Sequence, residues 1–203
     1  MELKIARVIS YLFHPLFVPF YMIVLLLSTN SYYSLIIPFK GKLLLTGIIF
    51  LTTILLPSFT AFLFYRIKLI RSFFPDSREE RIYLLVNIAI FYYLSYYLLK
   101  GTHVSLILSY FMLGATILVI CAVLISFFYR ISLHMIGTGA MSGTLLGLAW
   151  NNSQDMILLT LLLIFCAGLT GTARLKIDPQ KPAGVYTGFL VGVTVMFVMF
   201  RLI

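Results

Sequence analysis

The sequence specifies an all-α, polytopic integral membrane helical bundle, and three observations carry that assignment. Hydrophobic residues make up 62% of the chain and charged residues 10%, with a mean hydropathy of +1.07; one soluble core cannot hide that much apolar surface. Seven apolar stretches, near 8–28, 43–65, 82–99, 104–128, 133–150, 156–173 and 184–201, approach the roughly 20 residues that cross about 30 Å of hydrocarbon. The short connections between them leave no room for a soluble domain, so any chemistry belongs at a membrane face or between helices.

Segment one follows Lys4 and Arg7 as a secretory signal would. Its apolar run outlasts a normal signal core, however, and ends in Leu27-Ser28-Thr29-Asn30 without a small-x-small cleavage site. A retained N-terminal transmembrane helix and its loop therefore occupy 1–42. His14, Pro15 and Pro19 interrupt that helix. Proline frees backbone carbonyls and kinks a helix. A histidine within a membrane segment is a functional candidate by default, a hydrogen bond to a freed carbonyl being its plain alternative.

Segments two to seven make a six-helix domain over 43–203. Asn87 in segment three is the amide of a spanning core, and a helix-to-helix hydrogen bond accounts for it. Tyr92, Tyr93, Tyr96 and Tyr97 at the far end of that segment form an interfacial belt with Tyr32 and Tyr33; lining a prenyl-chain groove is their alternative use. Cys121 and Cys166, in segments four and six, lack the neighbouring ligands a soft-metal site needs. They read as packing residues, and neither a metal nor another cofactor is expected. Segments five and seven carry glycine at every fourth position, Gly139, Gly143, Gly147 and Gly184, Gly188, Gly192, which strips one helix face so that another backbone can approach. Internal packing is the expected use, and a homodimer contact the alternative.

With seven crossings, the N-terminus and the loops near 66–81, 129–132 and 174–182 share one face. That face collects Lys4, Arg7, Arg66, Lys68, Arg71, Arg78, Arg81, Arg130, Arg174, Lys176 and Lys181, whereas the other holds Lys40, Lys42, Lys100 and Arg201. The positive-inside rule makes the first face cytoplasmic and the chain a multi-pass inner (plasma) membrane protein. A net charge of +9 does not indicate nucleic acid here, because short loops offer no groove-reading element. The cationic face suits anionic headgroups, at about 1 kcal/mol per basic residue near an acidic surface; topology alone explains the bias equally well.

Both glycine stripes open from polar breaks on that face: Ile131-Ser132-Leu133-His134, and Ala173-Arg174 running through Lys176, Asp178, Gln180 and Lys181 to Gly184. Two spans separate the breaks, so segments five and seven run parallel. With Gly139 and Gly184 in register, Ser132, His134, Arg174, Lys176, Gln180 and Lys181 converge around one cavity. Hydroxyl, imidazole and guanidinium together suit a phosphate: arginine supplies charge-assisted bonds, serine a further donor, and histidine a proton for a leaving oxygen.

In order, spacing and helix context these residues resemble the motifs of the type 2 phosphatidic acid phosphatases, whose relatives include polyprenyl-pyrophosphate phosphatases and vanadium haloperoxidases. The family's second motif, Pro-Ser-Gly-His at a helix start, is matched in its Ser and His by Ser132 and His134. Its third, Ser-Arg, five residues, His, three residues, Asp, aligns without a gap from Ala173-Arg174 onward. Gln180 then stands at the nucleophilic His and Gly184 at the Asp that orients it. For the first motif, Lys, six residues, Arg-Pro, Arg130 alone occupies the usual region, while Arg71 and Arg78 keep the spacing two helices earlier without the Pro. The resemblance covers roughly 43–203. It implies a phosphate site of Ser132, Arg174, Lys176, Lys181, Arg130 and Arg78, with His134 as acid–base group. A glutamine amide cannot attack phosphorus but can donate to a phosphate oxygen. The resemblance therefore implies binding or handling of a lipid phosphate or polyprenyl phosphate without cleavage by the family route, the partners being phospholipid or isoprenoid phosphate headgroups. The alternatives are an active phosphatase with His14 as displaced nucleophile and a non-catalytic membrane scaffold. Phosphatase activity appearing on Gln180→His with Gly184→Asp would mark a ruined site on an intact scaffold.

Overall fold

The structure, a computed structural model, describes residues 2–29, 32–73, 77–101, 106–151, 156–177 and 182–202. Regular structure among them is helical, with no strand. In chain order the elements are α1 (Glu2–Leu12), α2 (Val18–Ser28), the single turn α3 (Tyr32–Leu35), α4 (Phe39–Phe50), a π-helical segment Leu51–Leu55, α5 (Leu56–Arg66), α6 (Arg78–Lys100), α7 (Leu106–Ser126), α8 (Leu133–Asn151), α9 (Met156–Ile177) and α10 (Pro182–Arg201). Among the described residues five continuous helices are long and apolar enough to cross a membrane: Phe39–Arg66, Arg78–Lys100, Leu106–Ser126, Met156–Ile177 and Pro182–Arg201. They coincide with segments two, three, four, six and seven. Segment five is the 19-residue α8, whose glycines, hydroxyls and histidine make it less apolar. From Met135 to Leu145 it is buried at every position but Gly137, so it has little need of an apolar outer face.

Segment one departs from the expected single kinked helix and is divided into two helices of 11 residues each. The physical reason is Pro15. It has no N–H to continue the ladder, and the turn tightens, with the His14 N–H donating to the Tyr11 carbonyl at 3.2 Å. The chain re-enters a helix with Pro19 at the second position of α2, where a missing N–H is harmless.

The chain groups into two compact units, one of Pro19–Phe128 and one of Met1–Val18 with Tyr129–Ile203. In the first unit the π-helical segment ends just before Pro57, a local widening of the kind found where a proline interrupts the ladder. The α5–α6 seam is held by polar side chains. Asn87 Nδ2 donates to the Pro57 carbonyl at 3.0 Å, and Thr60 Oγ1 donates to Asn87 Oδ1 at 2.7 Å. Further along α6, Ser95 Oγ donates to Thr52 Oγ1 at 2.6 Å. The helix-to-helix hydrogen bond expected of Asn87 is therefore present. Ser77 caps α6 by accepting from the Glu80 N–H at 3.3 Å, one half of a capping box.

In the second unit α8 and α10 run parallel and interlock through both glycine stripes. A Cβ at Gly139, Gly143 or Gly192 would collide with the carbonyl of Phe189, Val193 or Ile136 respectively. The register differs from the expected one. Gly184 lies against Arg130 and Ile131, Gly188 against Ser132 and Met135, and Gly192 against Ile136 and Gly139. Interdigitation decides this: each glycine receives the other helix's carbonyl, so the stripes slide past alignment of Gly139 with Gly184 until bare backbone meets bulk. The stripes thus serve packing within the chain.

Stability measurements distinguish the packed glycines from the open one. Gly192→Ala should lower stability by about 1–3 kcal/mol, the usual range for overpacking. Gly168→Ala, where a Cβ meets nothing within 4 Å, should be neutral or stabilising by up to about 1 kcal/mol. Denaturant titration in mixed micelles, followed by circular dichroism, measures both. In the same assay Asn87→Leu should lose about 1 kcal/mol, the scale of interhelical side-chain bonds in membranes; an unchanged midpoint would show that the α5–α6 bonds add nothing.

Candidate functional site

The site forms where the end of α1, the start of α8 and the last turn of α9 meet in the second unit. Its centre is Ser10, a buried residue of α1. Because the helix stops at Leu12 and the His14 N–H turns to Tyr11, the Ser10 carbonyl has lost the amide that an uninterrupted helix would supply. His134 takes that place. Its Nε2 lies 3.1 Å from the Ser10 carbonyl oxygen and 3.2 Å from Ser10 Oγ. A carbonyl only accepts, so Nε2 carries the proton and donates. Arg174 Nη1 donates to the same Ser10 Oγ at 3.3 Å. Two donors from two helices thus converge on one residue of a third.

His14 stands beside them, its ring centroid 5.7 Å from that of His134 in an edge-on arrangement. The Leu16 N–H donates to His14 Nδ1 at 3.4 Å. In the neutral ring that leaves the proton on Nε2. Both histidines therefore carry a donor N–H on Nε2, and the Leu16 N–H takes up the lone pair of His14 Nδ1. Together with a guanidinium they can stabilise an anion.

Ser132 is the N-cap of α8 and ties the first polar break to α10. Its N–H donates to the Gly184 carbonyl at 3.0 Å, and its own carbonyl accepts from Ile136 at 3.0 Å. Its Oγ is buried without a partner among the described residues, a hydroxyl with bonding capacity to spare. Tyr129 OH donates to Thr187 Oγ1 at 3.0 Å and fastens the preceding connection to the same helix.

The remaining expected residues divide by position. Lys176 is exposed in the last turn of α9; two residues from Arg174, it points to a different side of the helix. Arg130 is half-buried and meets α10 through its carbonyl, against Gly184. Arg78 is exposed at the start of α6, in the other unit. Gln180 and Lys181 lie outside the described residues, as does Asp178. No group of three or more His, Cys, Asp or Glu capable of holding a metal occurs among the described residues.

Ser10 is the member that reading for catalytic motifs misses. A signal for it exists: Ala6, Ser10 and His14 recur at every fourth position, a small and polar stripe on an otherwise apolar segment. Gly184 also carries a consequence for the aligned third motif. A Cβ there would overlap the Arg130 carbonyl, so Gly184→Asp would part α8 from α10, and the double substitution cannot serve as a simple restoration. No protein-family model matches the chain, and neither a curated protein nor a solved structure matches it.

Proposed function

We propose that the Ser10–His14–His134–Arg174 cluster is an anion site for the phosphate of a membrane lipid, either a phospholipid or a polyprenyl phosphate. The observation that carries this reading is the convergence of Arg174 Nη1 and His134 Nε2 on Ser10 Oγ, at 3.3 and 3.2 Å. Guanidinium and imidazole N–H groups donate but do not accept there, and charge-assisted bonds to phosphate are about twice as strong as neutral ones. The unpartnered Ser132 hydroxyl, two residues before His134 in the chain, is a further donor for a bound headgroup.

The resemblance to type 2 phosphatidic acid phosphatases belongs to this proposal, with the six-helix core over 43–203, the preceding N-terminal helix and a cytoplasmic site face. Phosphate holding is the preferred activity within it. Gln180 occupies the nucleophile position, and His14 as substitute would need an unprotonated Nε2, whereas the Leu16 N–H at Nδ1 favours the opposite tautomer.

Isothermal titration of the purified full chain with dioctanoyl phosphatidic acid, against dioctanoyl phosphatidylcholine, tests the reading. Wild-type protein should prefer phosphatidic acid. Arg174→Gln should weaken that binding by roughly 10- to 100-fold, since a hydrogen bond to a charged group contributes about 1.5–3 kcal/mol. Equal affinity for the two lipids, or an unaffected Arg174→Gln protein, would sink it.

A further inference from the structure

The donors of the site already hold oxygens, and those oxygens belong to the chain itself. Ser10 presents two of them, Oγ and the carbonyl, to His134 Nε2, and Oγ to Arg174 Nη1. The separations, 3.1 to 3.3 Å, exceed the 2.7–2.9 Å expected when such donors meet an anion. A neutral hydroxyl is a weak acceptor for a guanidinium, and a phosphate carrying formal negative charge is the better one.

The element that presents Ser10 is sparsely buried. Ala6 and Ser10 are the only buried residues among the described side chains of α1, while Leu3, Lys4, Ile5, Arg7, Val8, Tyr11 and Leu12 are exposed. The break over Phe13–Phe17 separates α1 from α2, so α1 can shift without moving a continuous helix. Elements with few buried contacts sit at the low-stability end of local opening.

We infer that the end of α1 is an internal occupant of the anion site: Ser10 pairs with His134 and Arg174, and a lipid phosphate enters by displacing it. This rests on the anion site proposed above and adds that Ser10 competes with the ligand. The competition couples headgroup binding to the position of α1.

The test uses the full chain in detergent micelles and dioctanoyl phosphatidic acid as probe. Ser10→Ala removes one competing oxygen and should bind the lipid about fivefold more tightly than wild type, the equivalent of one hydrogen bond. Ser10→Ala with Arg174→Gln should lose that gain. Independently, hydrogen exchange of wild-type α1 amides should accelerate when the lipid is added. Lipid binding that Arg174→Gln abolishes but Ser10→Ala leaves unchanged or weakens would overturn the competition and spare the anion site. Absence of binding by wild type and Ser10→Ala alike would overturn both. If Ser10→Ala does not fold, the exchange experiment decides: α1 amides that slow or do not change on lipid addition refute displacement.

Discussion

The contact on which the second unit depends is the backbone approach of α8 to α10. Carbonyls of Phe189 and Val193 occupy the places where Gly139 and Gly143 would carry Cβ atoms, and those of Ser132 and Ile136 sit against Gly188 and Gly192. In a membrane the hydrophobic effect gives little drive to helix association, so close van der Waals packing has to supply it. The same contact orders the polar break. Ser132 donates its N–H to the Gly184 carbonyl and so fixes where α8 begins. His134, the second residue of α8, is thereby brought level with the end of α1.

A second constraint acts through Pro15. Ending α1 at Leu12 frees the Ser10 carbonyl, and a freed carbonyl away from water needs a donor. His134 supplies it. Backbone chemistry in one helix therefore chooses the tautomer of a side chain in another, and Arg174 completes the arrangement from α9. The cluster is a helix cap in one respect and a set of anion donors in another, since both uses require N–H groups pointed at one place.

Much of this was legible in the residues, and the gaps have physical causes. Helix positions followed from apolar run length, and the parallel course of α8 and α10 followed from two intervening helices. The glycine stripes marked the faces that meet. Their register was not legible, because a four-residue repeat matches at every turn and only the seating of backbone such as the Phe189 and Val193 carbonyls against Gly139 and Gly143 selects one alignment. Convergence of His134 with Arg174 was anticipated from the two polar breaks. Ser10 was not, since a single serine in an apolar segment carries no motif and gained its role only when Pro15 cut the helix beneath it. Arg78 lies in the other unit, and the Arg130 carbonyl lies against Gly184.

Gly184 shows why packing and chemistry compete at the mouth of this bundle. A carboxylate at that position would orient a neighbouring imidazole as a nucleophile, but it needs a Cβ, and the Arg130 carbonyl fills that volume. Close approach of α8 to α10 and an acid at 184 are mutually exclusive. Without that acid, the two described histidines take their orientation from backbone groups, the Leu16 N–H for one and the Ser10 carbonyl for the other. Each leaves an N–H on Nε2. That polarity is set by the break in segment one, whose Leu16 N–H and Ser10 carbonyl fix both rings, while Gly184 governs only how closely α10 meets the start of α8.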